Sequence, residues 1–234
     1  MKFYFRYVLN LAKPKTAALH VGSAVHAVLN AWNKARWINQ PLSLKQLHEE
    51  YAKAWSNSSD GSVKWEDGEE EAQRMTGWRL CETYLRETNI SPNTKPDAVE
   101  VPIEADLHEH GLPKLIGVLD LVQQRKIIDF KTSSTTPNPD KIGHSNEIQT
   151  ASYAILYRHN TGKIEEGIEL HHLVKLKSPK LVITPLPPMN EQRQSRLFRL
   201  MEGYVKGLEH RDFLPSPGMQ CMSCEFFNEC RAWK

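Results

Sequence analysis

Two carboxylates set among apolar residues constrain this chain more than any other feature. In KLIGVLDLVQQRKIIDFKTSS, Asp120 lies within one apolar run and Asp129 ends the next, two residues before Lys131. A carboxylate is costly to place in an apolar strand unless something pairs with it. Successive strand side chains point to opposite faces, so Asp129 and Lys131 share a face while Phe130 points into the other. A face bearing two carboxylates can hold one or two hard divalent cations through oxygen, and Mg²⁺ keeps waters that become nucleophiles. An ammonium beside such a cation orients the attacking water and offsets charge building on a phosphoryl group.

The elements around this pair describe a mixed α/β chain. Helical spacing of Val25, Leu29 and Trp32 predicts a helix over 19–37, with His26 near its start. Further helices are predicted over 42–55 and 66–88, with the polar run 56–62 as a surface loop between them. After Pro96 come three short β-rich segments, AVEVPIEADL, KLIGVLDLVQQ and KIIDFKTSS. A helix over 146–159, strands over 167–175 and 181–185, and a helix over 190–208 complete a mixed central sheet flanked by helices. The reading is one domain: a mainly helical part over 1–95, a sheet with its helices over 96–210, and a cysteine-rich tail over 211–234.

With 234 residues and 40% hydrophobic content, the chain can bury one sizeable core. No run of 18 apolar residues occurs and no secretory leader is recognisable, so a soluble cytoplasmic protein without membrane partners is expected. A net charge of +2 is too small to mark a nucleic-acid binder, so any DNA-binding surface must be local. His108, His110 and the pair His171 and His172 lack ligand-like spacing with a third partner and are expected at the surface or at strand edges.

Three of the four cysteines fall in the last 14 residues as Cys221-x2-Cys224-x5-Cys230. Clustering of this kind points away from a disulfide framework and toward an iron–sulfur cluster or zinc. The fourth, Cys81, lies in a helical stretch and reads as a buried core thiol.

Asp120, Gly117 three residues before it, and Asp129-Phe130-Lys131 together resemble the signature of PD-(D/E)XK nucleases. The finer pattern is similar to the RecB-like group: Gly22 to His26 matches its Gly-x-x-x-His element, and Gln149 to Tyr153 its Gln-x-x-x-Tyr element. The resemblance implies a restriction-endonuclease-like core, with His26, Asp120, Asp129 and the Phe130 carbonyl binding Mg²⁺ or Mn²⁺. Glu100 is a further acidic candidate for that metal. It implies Lys131 as catalytic base or water-orienting group, and Gln149 and Tyr153 as supports that touch the DNA strand. In RecB-like members with a [4Fe-4S] cluster, the last three ligands resemble this tail and the fourth lies far upstream. Here no cysteine precedes His26, leaving three readings: a chain extending upstream of Met1, substitution by Cys81, or an incomplete site.

The function implied is a metal-dependent deoxyribonuclease, either an exonuclease or a nuclease of single strands and flaps, leaving 5′-phosphate products. The setting implied is the cytoplasm of a bacterial, archaeal or phage-infected cell. The implied contexts are DNA repair, recombination or CRISPR adaptation, with a helicase, recombinase or CRISPR adaptation protein as partner. Two rival classes remain: a non-catalytic DNA-end-binding scaffold with a nuclease fold, and a zinc-stabilised interaction module.

Overall fold

The computed structural model describes residues 1–58, 63, 65–218, 221–222 and 224–233. Its helical first third begins with α1 (Ala17–Trp37), whose N-terminus is capped by Thr16 accepting from the Leu19 N–H at 3.2 Å. Then come α2 (Leu44–Ser58) and α3 (Glu69–Glu87). The three are joined by a buried cluster that includes Val21, Val25 and Leu29 of α1, Tyr51 and Trp55 of α2, and Leu80 and Tyr84 of α3. The same cluster takes in Val99, Leu121, Ile128, Phe130 and Leu173 from the sheet. This helical part therefore covers one face of the sheet. Each aliphatic side chain so buried contributes about 1.5–3 kcal/mol.

The sheet is built from β1 (Ala98–Ala105), β2 (Leu115–Gln123), β3 (Lys126–Ser133), β4 (Gly167–Val174) and β5 (Lys180–Leu186), in that spatial order. Gln124 and Arg125 both take positive φ, 50° and 63°, the two-residue turn geometry that joins twisted strands. β3 and β4 run parallel, and the other neighbours are antiparallel. The parallel step requires a crossover, supplied by α4 (Pro139–Ser145) and α5 (Glu147–Thr161). Pro102 and Pro185, which cannot donate to a ladder, both fall on edge strands. α5 and α6 (Glu191–Glu209) cover the second face through Ala151, Ala154, Leu156 and Leu197, packed with Leu119, Val122, Ile127 and Ile168.

The sequence-expected helices and strands appear within a few residues of their expected bounds. Of the expected surface loop, residues 59–62 lie outside the described residues. Four short elements were not expected: α4, a π-helical turn at Tyr4–Val8, a 3₁₀ turn at His108–His110, and α7 (Phe227–Ala232). The expectation of a surface or strand-edge place for His171 and His172 is overturned, since they are 0% and 3% exposed. The reason is that β4 is an interior strand buried at every position. No described helix is long and apolar enough to cross a membrane.

Candidate active site

β2 and β3 pair only as Leu121↔Ile128, Val122↔Ile127 and Gln123↔Lys126. One further step in that register sets Asp120 opposite Asp129. Like charges directly opposite destabilise a ladder, and here the strands part. The Phe130 N–H, left without a ladder partner, donates to Asp120 Oδ2 at 2.9 Å.

The opening is accompanied by a break in side-chain alternation. Leu119 and Leu121 are two apart, yet Leu121 packs on the α1 side and Leu119 on the α5 side. The break falls on Asp120. Across the β1–β2 register, between Val99↔Leu121 and Val101↔Leu119, the corresponding residue is Glu100, whose φ is +46°. A non-glycine residue in that region is strained and persists only when its surroundings hold it. The Glu100 carboxylate is held by α1, accepting from Asn30 Nδ2 and pairing with Lys34 Nζ at 3.3 Å.

From the other side, α5 delivers Gln149 and Tyr153. Gln149 Nε2 donates to Asp129 Oδ1 at 3.1 Å, and its Oε1 accepts from Lys131 Nζ at 2.8 Å. The Tyr153 hydroxyl donates to Asp129 Oδ1 at 3.3 Å and accepts from Gln149 Nε2 at 2.7 Å. Lys131 Nζ also lies 2.7 Å from Asp129 Oδ2 as an ion pair, but off the hydrogen-bonding direction, so this buried oxygen keeps no hydrogen bond. His26 Nδ1 lies 3.7 Å from Asp120 Oδ2. Burial raises the Asp120 carboxyl above its ordinary value against the pull of His26 and the Phe130 N–H, with Asp129 adding to the rise. Burial, and then the Asp129 charge, push the Tyr153 hydroxyl up.

These residues line one open cleft of about 810 Å³, with Ala18, Leu19, Gly22 and Ser23 from the start of α1 at its rim. The sequence-expected residues His26, Glu100, Asp120, Asp129, Phe130, Lys131, Gln149 and Tyr153 all meet there. Gly22 and Gly117 have packing reasons. A Cβ at Gly22 would lie 3.2 Å from Thr132 Oγ1, and one at Gly117 would lie 2.7 Å from Leu156 Cδ1. Glycine thus brings α1 close to β3, and α5 close to β2. Asn30 and Lys34 escaped the sequence reading, although they follow His26 at successive steps of four on one helical face.

Among the described residues, no three His, Cys, Asp or Glu side chains converge closely enough as they stand to hold a cation. The donor chemistry nevertheless fits one. Asp129 Oδ2 is buried without a hydrogen bond, the burial cost of Asp120 is only partly compensated, and an imidazole adjoins it. A hard divalent cation takes such oxygens and offsets both deficits.

Among the described residues, the tail shows no formed iron–sulfur site. Cys221, Cys224 and Cys230 are free and half-buried, and they belong to no group of three ligands among the described residues. Cys81 is wholly buried in the helical core with its thiol pushed up by desolvation, and it too belongs to no group of three ligands among the described residues. What holds the tail is packing and charge. Phe226 stacks on Phe5 at 5.6 Å, Glu225 pairs with Lys2 at 2.9 Å and with Arg6, and Glu229 pairs with Lys13.

A candidate exonuclease from Eubacterium rectale has a similar solved structure, with TM-score 0.61 and 17% identity over 100% of this chain and 82% of that one. At that identity the likeness shows the fold. A second structure, SSO0001, is 16% identical over 99% of this chain and 93% of that one, with TM-score 0.42. No curated protein matches this sequence at a significant level. The family model of the PD-(D/E)XK nuclease superfamily matches residues 1–231. With nearly its whole length matched, the chain belongs to the PD-(D/E)XK nuclease superfamily.

Proposed function

We propose that this protein is a metal-dependent deoxyribonuclease, an exonuclease or a nuclease of single strands and flaps, that hydrolyses phosphodiester bonds in the cleft between β2 and β3. The observation carrying this reading is the parting of the two strands at Asp120 and Asp129, with Lys131 held between Asp129 and Gln149.

Asp120, Asp129, His26 and the Phe130 carbonyl would hold Mg²⁺ or Mn²⁺, which when bound would supply Lewis acidity toward the scissile phosphate and lower the pKa of bound water. Asp120 has its position fixed by the Phe130 N–H, so no reorganisation is required when substrate arrives. Asp129 is oriented by two donors on Oδ1, Gln149 and Tyr153, leaving Oδ2 free of hydrogen bonds. Gln149 holds the Lys131 ammonium in the cleft, where it orients water and offsets the negative charge that grows on the phosphoryl oxygens. Glu100 is directed to Asn30 and Lys34 and serves as a strained brace between β1 and α1 rather than as a ligand.

The test is cleavage of end-labelled single- and double-stranded DNA with Mg²⁺, Mn²⁺ or EDTA, with Lys131→Ala run in parallel. Cleavage that needs metal and is lost in the variant supports the reading, and the product ladder gives the polarity. DNA binding without cleavage under either metal would instead favour a scaffold that retains the nuclease fold.

A further inference from the structure

The end of β4 and the start of β5 carry a charged feature that the cleft chemistry does not use. Between Glu169 and Glu191 the chain contains no acidic residue but three lysines, Lys175, Lys177 and Lys180, although the whole chain carries only +2. Among the described residues, none of these ammonium groups has a carboxylate within ion-pair distance. Glu87, whose Oε2 accepts the Leu181 N–H at 3.1 Å, pairs with Arg86 at 2.8 Å instead. By contrast, Lys126 and Lys131 of the adjoining β3 pair with Glu169 and Asp129. Lys175 is half-buried, and burial alone moves its ammonium below the ordinary lysine value, with no neighbouring charge to offset it. A half-buried cation without a counterion is a cost that a bound anion removes.

The three lysines lie beside the cleft. Along the parallel strands β3 and β4, Lys131 stands opposite His172 and Ser133 opposite Val174. The Lys175 N–H donates to the Ser133 carbonyl at 2.8 Å, one residue past Thr132 on the cleft wall. Lys180 opens β5 opposite Val174, so the turn between the strands returns it to the same end. From strand rise and spacing, the backbones at Lys131 and Lys175 are roughly 11 Å apart. Both parallel strands present their carboxyl ends here, the place where open α/β sheets take ligands. Several unpaired ammonium groups in a row suit a polyanion whose charges recur along a backbone, and lysine binds phosphate as a point charge without reading a base.

We propose that Lys175, Lys177 and Lys180 hold the backbone phosphates of the DNA strand where it lies past Lys131, a role that rests on the nuclease reading for its substrate. Because no base is read, the grip is the same on any sequence, and salt weakens it as counterions return to the phosphates.

The probes are an oligothymidylate and an abasic strand of equal length, with binding measured by fluorescence anisotropy in EDTA across a salt series. Each phosphate contact on a single strand adds about 0.7 to the fall of log affinity with log salt. Three contacts give the unmodified protein a slope of about 2 or steeper, roughly a twentyfold loss between about 50 and 200 mM salt. Lys175→Gln with Lys177→Gln and Lys180→Gln is expected to flatten that slope by about 2 and to weaken both probes alike, about tenfold or more at low salt, and Lys→Arg at all three positions to restore both. Lys45→Gln with Lys95→Gln and Lys163→Gln removes equal charge from exposed lysines elsewhere and is expected to change the slope by less than about 0.5. A slope below about 2 in the unmodified protein overturns the site whether or not any variant folds. So does an unchanged slope in the first variant, an equal flattening in the second, or a loss confined to the oligothymidylate, which would assign the effect to base contacts. Because binding is read without metal, a protein that shows the expected slopes yet never cuts DNA upholds the site and refutes the nuclease reading alone. One that cuts DNA while the first variant keeps its slope refutes the site alone.

Discussion

Asp120 Oδ2 accepts the Phe130 N–H at 2.9 Å, so one candidate ligand also closes the gap its own strand leaves open. Asparagine keeps an acceptor there and alanine does not. Asp120→Ala is therefore expected to cost about 1–3 kcal/mol in urea unfolding, from the orphaned amide, while Asp120→Asn folds normally. Both are expected to lose cleavage.

The same carboxyl has a pH signature. Burial raises it, so its share of stability is fully present below its ordinary value of 3.8 and is lost as pH rises through the raised value. In EDTA at neutral pH, Asp120→Asn is expected to melt above the unmodified protein, with the gap closing in acid. Added Mg²⁺ should raise the melting temperature of the unmodified protein and leave that of the variant in place. A magnesium response of equal size in both proteins would move the metal away from Asp120.

Gln149 makes two strong contacts, to Lys131 at 2.8 Å and to Asp129 at 3.1 Å, whereas the Tyr153 hydroxyl reaches Asp129 at 3.3 Å. Gln149→Ala frees the ammonium and unpins the carboxylate together. Single-turnover cleavage is expected to fall about 100-fold in Gln149→Ala and less than about tenfold in Tyr153→Phe, with DNA binding in EDTA unchanged in both. The reverse ranking would place Tyr153, rather than Gln149, at the chemistry.

On the opposite side of the sheet, Glu169 accepts from His171 Nε2 at 3.0 Å and Lys126 Nζ at 2.8 Å, and His171 Nδ1 faces the Tyr84 hydroxyl at 3.2 Å. The His171 hydrogen bond, against the cost of burial and with help from Lys126, lowers the Glu169 carboxyl to about 2. A depressed acid stabilises above its unfolded value and loses that contribution as pH falls through the folded one. Between about pH 4.5 and 2, Glu169→Gln is expected to show acid destabilisation smaller than that of the unmodified protein by up to about 3 kcal/mol. Parallel pH profiles of the two proteins would remove Glu169 from acid unfolding.

Phe226, 1% exposed against Phe5, holds the tail to the N-terminal segment. In metal-free protein, Phe226→Ala is expected to cost about 3–5 kcal/mol or to release both ends to limited proteolysis, and Cys224→Ser to change little. Elemental analysis checks the premise. Iron with labile sulfide in the native protein, together with a Cys224→Ser variant as unstable as Phe226→Ala, would restore the cluster that the cysteine spacing suggests.

Much of this molecule was legible in its residues because the signals are local. Helical spacing in α1 and α5, the two-residue step from Asp129 to Lys131, and apolar runs ended by Gly, Pro and Gln-Arg turns all act over a few residues. The histidines were misplaced for a corresponding reason: His171 and His172 look polar in sequence, and only the position of β4 between two neighbours buries them.

By itself the sequence determined the order of elements and the face shared by Asp129 and Lys131, since alternation and helical period follow from backbone geometry, while the resemblance to PD-(D/E)XK nucleases implied the other residues of the cleft. Tertiary structure alone decided that β2 and β3 part at Asp120, that Glu100 is strained toward α1, and that Phe226 packs on Phe5 to bring the two ends together. Those outcomes depend on strand register, helix approach and pairings between residues far apart in the chain, and no local pattern encodes them.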